Sequence, residues 1–246
     1  MLIEQTIEKM RLMKMTKMAE SFKERLARTD HQNICTADFI GYIIDDEFQR
    51  RQNERMKSRL SQAKFKESQA CLEDINYDLK RNLTKKLVMD LAQNEWVRNH
   101  QNLIIHGKTG AGKSYLAQAL GNHACRQGLS VLYVRCPKLF MHLHVAKADG
   151  SYLSRLKSIN KKDIIILDDF GVTPIDDEKR QDLFEIIEDR YGVRSTIVTT
   201  QLTPNQWHQY IGSGNIADSV CDRLLRPALK LNLTGDTIRP EGKLLT

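Results

Sequence analysis

From Ile3 to Leu26 apolar residues recur every three or four positions. Ile3, Ile7 and Met10 make one stripe, and Met15, Met18, Phe22 and Leu26 continue it. That period places side chains on one face of an α-helix, and up to residue 66 no proline and a single glycine interrupt it. A second helix is expected near Thr36, a residue able to cap it, carrying Phe39, Ile40, Ile43, Ile44 and Phe48. Residues 67–100 read as a connecting segment with a short helix around Leu83–Leu91. Beyond it the pattern changes to short, continuous apolar runs separated by helical stretches: Leu103–His106, Val131–Val134, Ile164–Asp168, Thr196–Thr200 and Ala228–Leu233. Runs of this kind are strands of a sheet buried on both faces. The pattern predicts a small all-helical N-terminal domain (1–66), followed by an α/β domain (67–246) with a five-stranded, mostly parallel sheet.

Composition changes this picture in two places. The formal net charge of +7 favours polyanionic partners. Part of it is concentrated in Arg50, Arg51, Arg55, Lys57, Arg59, Lys64 and Lys66, which reads equally as a solvated helix face or as a surface for phosphates. Cys35, Cys71, Cys125, Cys136 and Cys221 are scattered, without metal-ligand spacing, and fit a reducing compartment. No apolar run is long enough to span a bilayer and the first residues do not form a signal segment, so a cytoplasmic protein without membrane contact is expected.

The chemistry starts at the first apolar run of the second half. Gly107-Lys108-Thr109-Gly110-Ala111-Gly112-Lys113-Ser114 matches G-x-x-x-x-G-K-[ST] in full, between a strand and an amphipathic helix. Glycines let such a loop turn its N–H groups around phosphate oxygens. Lys113 supplies charge for the β- and γ-phosphates, Ser114 a hydroxyl for Mg²⁺, and the following helix its positive N-terminal end. Tyr115 completes the expected nucleotide-binding set, and the cofactors implied are ATP and Mg²⁺. The strand Ile164–Leu167 ends in Asp168 and Asp169: the first is expected to hold Mg²⁺ through its water shell, opposite Ser114, the second to orient or deprotonate the attacking water. A shorter Asp in place of the more usual Glu points to slow basal turnover. Thr200 or Gln201, ending the strand from Thr196, would sit beside the γ-phosphate if that strand lies between the other two.

With these elements placed, the chain resembles the AAA+ ATPases of the initiator and helicase-loader group. It is similar, more closely, to the IstB-like helpers encoded beside the transposase of certain insertion sequences. Four stretches carry the likeness: Trp96 to Leu120, Ile164 to Gly171, Glu188-Asp189-Arg190-Tyr191 to Gln201, and Ala217 to Leu225 with Asp222-Arg223-Leu224. The resemblance implies that Arg223 acts as an arginine finger on a neighbouring subunit's γ-phosphate, with Arg226 and Arg190 as alternatives. It implies a homo-oligomer with ATP at subunit interfaces, assembly on duplex DNA without strong sequence preference, delivery of that DNA to the element's transposase, and hydrolysis that resets the complex. The group also has an extra helix before the Asp-pair strand, which Pro137–Ala148 fits, with Lys147, Arg155, Lys157, Lys161 and Lys162 as a basic lining. About twenty residues follow Pro227, so the helical lid of typical AAA+ proteins is expected to be absent or reduced. Other readings are a loader of a replicative helicase, distinguished by the partner that residues 1–66 bind, a P-loop kinase, which would need an arginine-bearing lid, and a non-catalytic nucleotide-binding module.

Overall fold

The first stripe forms α1 (Leu2–Leu12) and the second α2 (Thr16–Leu26), separated at Lys14, whose backbone is left-handed (φ 58°). The third helix, α3 (Thr36–Ala63), is continuous. These belong to a computed structural model that describes residues 2–27, 34–77, 81–212 and 214–235. The chain divides into two compact units, Met1–Ser58 and Arg59–Thr246.

The first unit is tied together by Glu47, which is buried on α3. Its carboxylate accepts from the first-turn N–H groups of α2, at Lys17 (3.0 Å) and Met18 (3.2 Å), where no side chain of α2's own start caps the helix. Arg50 and Arg51 pair with the same carboxylate at 2.7 and 2.8 Å, and Arg50 also pairs with Glu54 at 2.6 Å. Two cations of the expected basic run are therefore committed within the helix. The hydrogen bond from Arg50, followed by those from Arg51 and the Met18 N–H, outweighs burial and holds the Glu47 pKa down at about 2, against an ordinary 4.5. A carboxylate more acidic in the native than in the unfolded state stabilises fully above about pH 4.5, and that stabilisation is lost as pH falls toward about 2. Glu47→Gln is expected to lower the α1–α3 helical melt near neutral pH and to flatten its acid dependence over that window, read by circular dichroism of the full chain.

In the second unit, Ala63 is fully buried and Phe65 packs against the same core, close enough to α6 (Lys113–Arg126, after α4, Lys85–Ala92, and α5, Glu95–Arg98) that a Cβ on Gly121 would meet Ile166 Cδ1 at 2.8 Å and Phe65 at 3.0 Å. Residues 59–66 thus belong with the α/β unit, whereas the sequence pattern put the boundary after residue 66. Thr84 caps α4 by accepting from Leu87 N–H.

The five apolar runs form β1 (Asn102–Gly107), β2 (Val131–Arg135), β3 (Ile164–Phe170), β4 (Ser195–Thr200) and β5 (Ala228–Leu233). Their order is β2-β3-β4-β1-β5, with every pairing parallel. Alternate residues serve opposite faces, as strand geometry requires. Leu103, Ile105, Ile164, Ile166 and Ile197 join one core with α4, α5 and α6. Ile104, Ile165, Leu167 and Val198 join a second, covered by α7 (Cys136–Ala148), α8 (Tyr152–Asn160), α9 (Asp177–Arg190), α10 (Pro204–Ile211) and α11 (Asn215–Leu225). The expected extra helix before β3 is α7. No helix among the described residues is long and apolar enough to cross a membrane, and the five cysteines are free thiols. The expectation of a missing lid concerns the residues after Pro227, of which Ala228–Leu233 form β5 and 236–246 lie outside the described residues.

Candidate functional site

The carboxyl ends of β1, β3 and β4 converge on one place, because β4 lies between β1 and β3. β1 ends at Gly107, where any Cβ would run into the Leu233 carbonyl oxygen of β5. Gly112 is left-handed (φ 89°) and leads directly into α6. Gly107 through Ser114 thus form the expected strand–loop–helix turn. The Lys113 ammonium spans it, donating to the carbonyls of Gly107 and Lys108, each at 2.8 Å. Tyr115 points away: its hydroxyl donates to the Cys71 carbonyl at 3.3 Å.

Asp168 is buried and takes three hydroxyl donors. Ser114 Oγ donates to its Oδ1 at 2.7 Å, Thr199 Oγ1 donates to the same oxygen, and the Tyr133 hydroxyl donates to Oδ2 at 2.7 Å. Burial, and then that bond to Asp168, push the Tyr133 phenol well above its ordinary range. Asp169 differs in every respect. The β3–β4 register shifts between Leu167 and Phe170, and Asp169 sits in that irregularity with a left-handed backbone (φ 57°), costly for a residue with a Cβ. Its N–H donates to Thr199 Oγ1 at 3.2 Å, and its carboxylate accepts from Arg135 Nε, at the end of β2, at 2.7 Å. The two acids are thereby separated, Asp168 turned to the loop and Asp169 to Arg135 of the outer strand β2.

Of the pair ending β4, Thr200 is buried and its hydroxyl is engaged by the Phe170 carbonyl (2.8 Å) and the Leu202 N–H (3.0 Å). Gln201 faces the loop instead: its Oε1 accepts from the Thr109 hydroxyl at 2.9 Å, and its carbonyl lies 3.2 Å from His106 Nε2. Sequence reasoning missed Tyr133, Arg135 and the Thr199 hydroxyl. The one available signal was a cation at the end of a strand adjoining the Asp-pair strand.

The arginines separate clearly. Arg223 lies on α11, whose last turn is tied to the start of β1: Asn102 Nδ2 donates to the Arg223 carbonyl at 3.0 Å. The phosphate loop follows the other end of that six-residue strand, roughly 17 Å away at 3.3 Å per residue. Arg223 cannot serve its own loop. Its guanidinium pairs with Glu188 at 2.6 and 3.1 Å and lies over the Tyr191 ring, 5.7 Å from the centroid. Arg226 is far more open, with a side chain 80% exposed and paired only to Asp222 among the described residues (2.9 Å). Arg190 is 1% exposed and donates to main-chain carbonyls, including Lys162 (2.8 Å) and Ser195 (2.5 Å). Burial lowers its pKa to about 9, still cationic at neutral pH. It staples α9 to the starts of β3 and β4 and is closed to any ligand.

Chemically, the loop can cradle phosphates. Ser114 and Asp168 offer hard oxygen donors side by side, which suit Mg²⁺ and not a soft metal. Among the described residues no cluster of three or more His, Cys, Asp or Glu forms a competing metal centre.

Residues 8–246 match the family model of IstB-like ATP binding protein. A Sinorhizobium fredii protein named for ATP binding in an insertion sequence is 40% identical over 239 residues, covering 97% of both chains. The corresponding protein of insertion sequence IS1162 from Pseudomonas fluorescens is 38% identical over 202 residues, 82% of this chain and 87% of its own. Among solved structures, DnaI superposes with a TM-score of 0.59 at 21% identity, covering 72% of this chain and 94% of DnaI. At that identity the likeness shows a shared fold.

Proposed function

The chain belongs to the family of IstB-like ATP-binding proteins, and from that membership we propose that it is a DNA-binding ATPase of transposition. It assembles with ATP on duplex DNA and delivers that DNA to the transposase of its insertion sequence. The observation that carries this reading is the phosphate loop with Ser114 and Asp168 joined at 2.7 Å, combined with Arg223 at the opposite end of the sheet. One chain holds a nucleotide site and, remote from it, the cation that could complete a site elsewhere. Full-length likeness to proteins named for insertion sequences favours a transposase over a helicase as the partner, because the likeness to DnaI rests on fold alone.

In this reading Lys113 and the N–H groups of residues 107–114 bind the β- and γ-phosphates, and Ser114 and Asp168 would hold Mg²⁺, which would supply charge neutralisation at the phosphates. Asp169 orients the attacking water, Gln201, which faces the loop where Thr200 does not, senses the γ-phosphate, and Arg223 of a neighbouring subunit stabilises charge on the transferred group. The DNA surface is supported by a cleft of about 580 Å³ beside β2, whose lining includes Lys64, Lys66, Arg135, Lys138, Arg155 and Lys162 and no acidic residue. Phosphate contacts ask for such an array of cations and carry no base sequence. Lys147, expected in the same lining, is instead committed to Asp182 (2.7 Å) and Glu178 (3.1 Å).

Arg135 belongs to that cleft and also holds Asp169. Arg135→Ala is expected to raise DNA-free hydrolysis about two- to fivefold, the restraint that a partly exposed ion pair of ~0.5–1 kcal/mol can exert. Stimulation by DNA should shrink in the same steady-state assay. The function itself is tested by light scattering of the protein with duplex DNA. Large complexes with ATP, and none with ADP or without nucleotide, are expected; DNA binding indifferent to nucleotide would refute the reading.

A further inference from the structure

Tyr133 has a chemical feature its packing does not require. It alternates with Leu132 and Val134 along β2, is 6% exposed, and packs its ring in the core with Ile164 and Ile166. Phenylalanine would fill the same space. The hydroxyl is placed on Asp168 Oδ2 at 2.7 Å, while Ser114 and Thr199 both donate to Oδ1.

The geometry matters because a carboxylate turns easily about its last side-chain bond, an sp³–sp² torsion with broad minima. Donors on Oδ1 alone would leave Asp168 free to swing Oδ2 toward the loop. A buried phenol on Oδ2 fixes the carboxylate plane and leaves Oδ1 as the oxygen beside Ser114. Mg²⁺ demands near-ideal octahedral geometry and gives up its waters reluctantly, so it is sensitive to which oxygen is presented and at what angle. Groups that hold a ligating carboxylate from behind commonly change metal affinity or activity by about 10–100-fold when removed.

We propose that Tyr133 is a positioning residue of the metal site, whose phenol orients Asp168 so that Oδ1 is presented to Mg²⁺ beside Ser114. This rests on the reading of the loop as an Mg²⁺–ATP site. Tyr133 touches no substrate; it acts through the carboxylate. Its position on β2, the strand that also supplies Arg135 to Asp169, means that one outer strand sets the orientation of both acids.

The test uses the full chain, a fluorescent ribose-labelled ATP and rising Mg²⁺. Tyr133→Phe is expected to raise the half-saturating Mg²⁺ concentration about tenfold or more, with labelled-ATP affinity in EDTA unchanged and the melting temperature lowered by only a few degrees for the lost hydrogen bond. In an Asp168→Ala background, where no carboxylate remains to be oriented, Tyr133→Phe should add no further shift. An unchanged Mg²⁺ titration, a shift that persists without the Asp168 carboxylate, or an equal loss of affinity in EDTA would each overturn the proposal. If the unsubstituted protein bound labelled ATP with no dependence on Mg²⁺, the metal-site reading itself would fall, and the positioning role with it.

Discussion

Replacing Lys113 by alanine is expected to abolish nucleotide-dependent behaviour altogether. The ammonium lies across the phosphate loop on the carbonyls of Gly107 and Lys108, where it meets whatever anion the loop encloses. Removing one partner of a buried, hydrogen-bonded charge pair costs about 2–5 kcal/mol, so ATP affinity should fall by ~30-fold to more than a thousandfold, each 1.4 kcal/mol being a factor of ten. Equilibrium binding of fluorescent ATP measures this directly. Assembly on DNA should vanish at ATP concentrations that saturate the parent protein. Stability should change modestly, since Lys108 is exposed while Gly107 is buried at the end of β1. Assembly that survived the substitution would mean that nucleotide does not drive it.

Arg223→Ala should have the opposite profile, with binding preserved and turnover lost. Arg223 is roughly a strand's length from its own loop, so ATP affinity is expected to stay within about twofold. Hydrolysis in the DNA-bound assembly is expected to fall by ~10³-fold or more, the usual worth of an arginine that stabilises a transferring phosphoryl group. Single-turnover hydrolysis at saturating ATP separates the two effects. Arg223→Lys should not restore the rate, because a point charge lacks the planar fork. The ion pair with Glu188 gives this residue a resting place in the isolated chain, and assembly would have to exchange that carboxylate for a phosphate.

Much of this was legible in the residues, for reasons that differ from place to place. The strands were readable because a parallel sheet covered on both faces needs uninterrupted apolar runs, and Ile164–Leu167 is such a run. The phosphate loop was readable because its curve tolerates few side chains, as the approach of Gly107 to Leu233 demonstrates. Less was legible where residues meet only through tertiary pairing. Tyr133 reads as an ordinary core position, and only the β2–β3 pairing brings its hydroxyl to Asp168. Thr199 and Thr200 face opposite ways on a strand, but the sequence does not say which face meets the acid; the β3–β4 pairing does, with the Thr199 hydroxyl on Asp168 and the Thr200 hydroxyl on the Phe170 carbonyl. Arg190 reads in the sequence as an alternative arginine finger, and its burial rests on carbonyls that only the fold brings to it, such as Lys162, 28 residues away in the chain. The domain division was misplaced because helical periodicity and basic character continue past Ser58, while burial of Ala63 depends on a partner helix in the second unit.

In the proposed assembly each ATP site is shared, with the loop and Asp169 from one subunit and the arginine from the next. Mixing Asp169→Asn and Arg223→Ala proteins on duplex DNA tests this, because both keep the phosphate loop that binds ATP and each lacks a catalytic group the other retains. In head-to-tail assembly at equal amounts, about a quarter of the sites would pair an intact Asp169 with an intact arginine. ATP hydrolysis is expected to return to about that fraction of the unsubstituted rate, while either variant alone stays inactive. A mixture no more active than its separate components would contradict it.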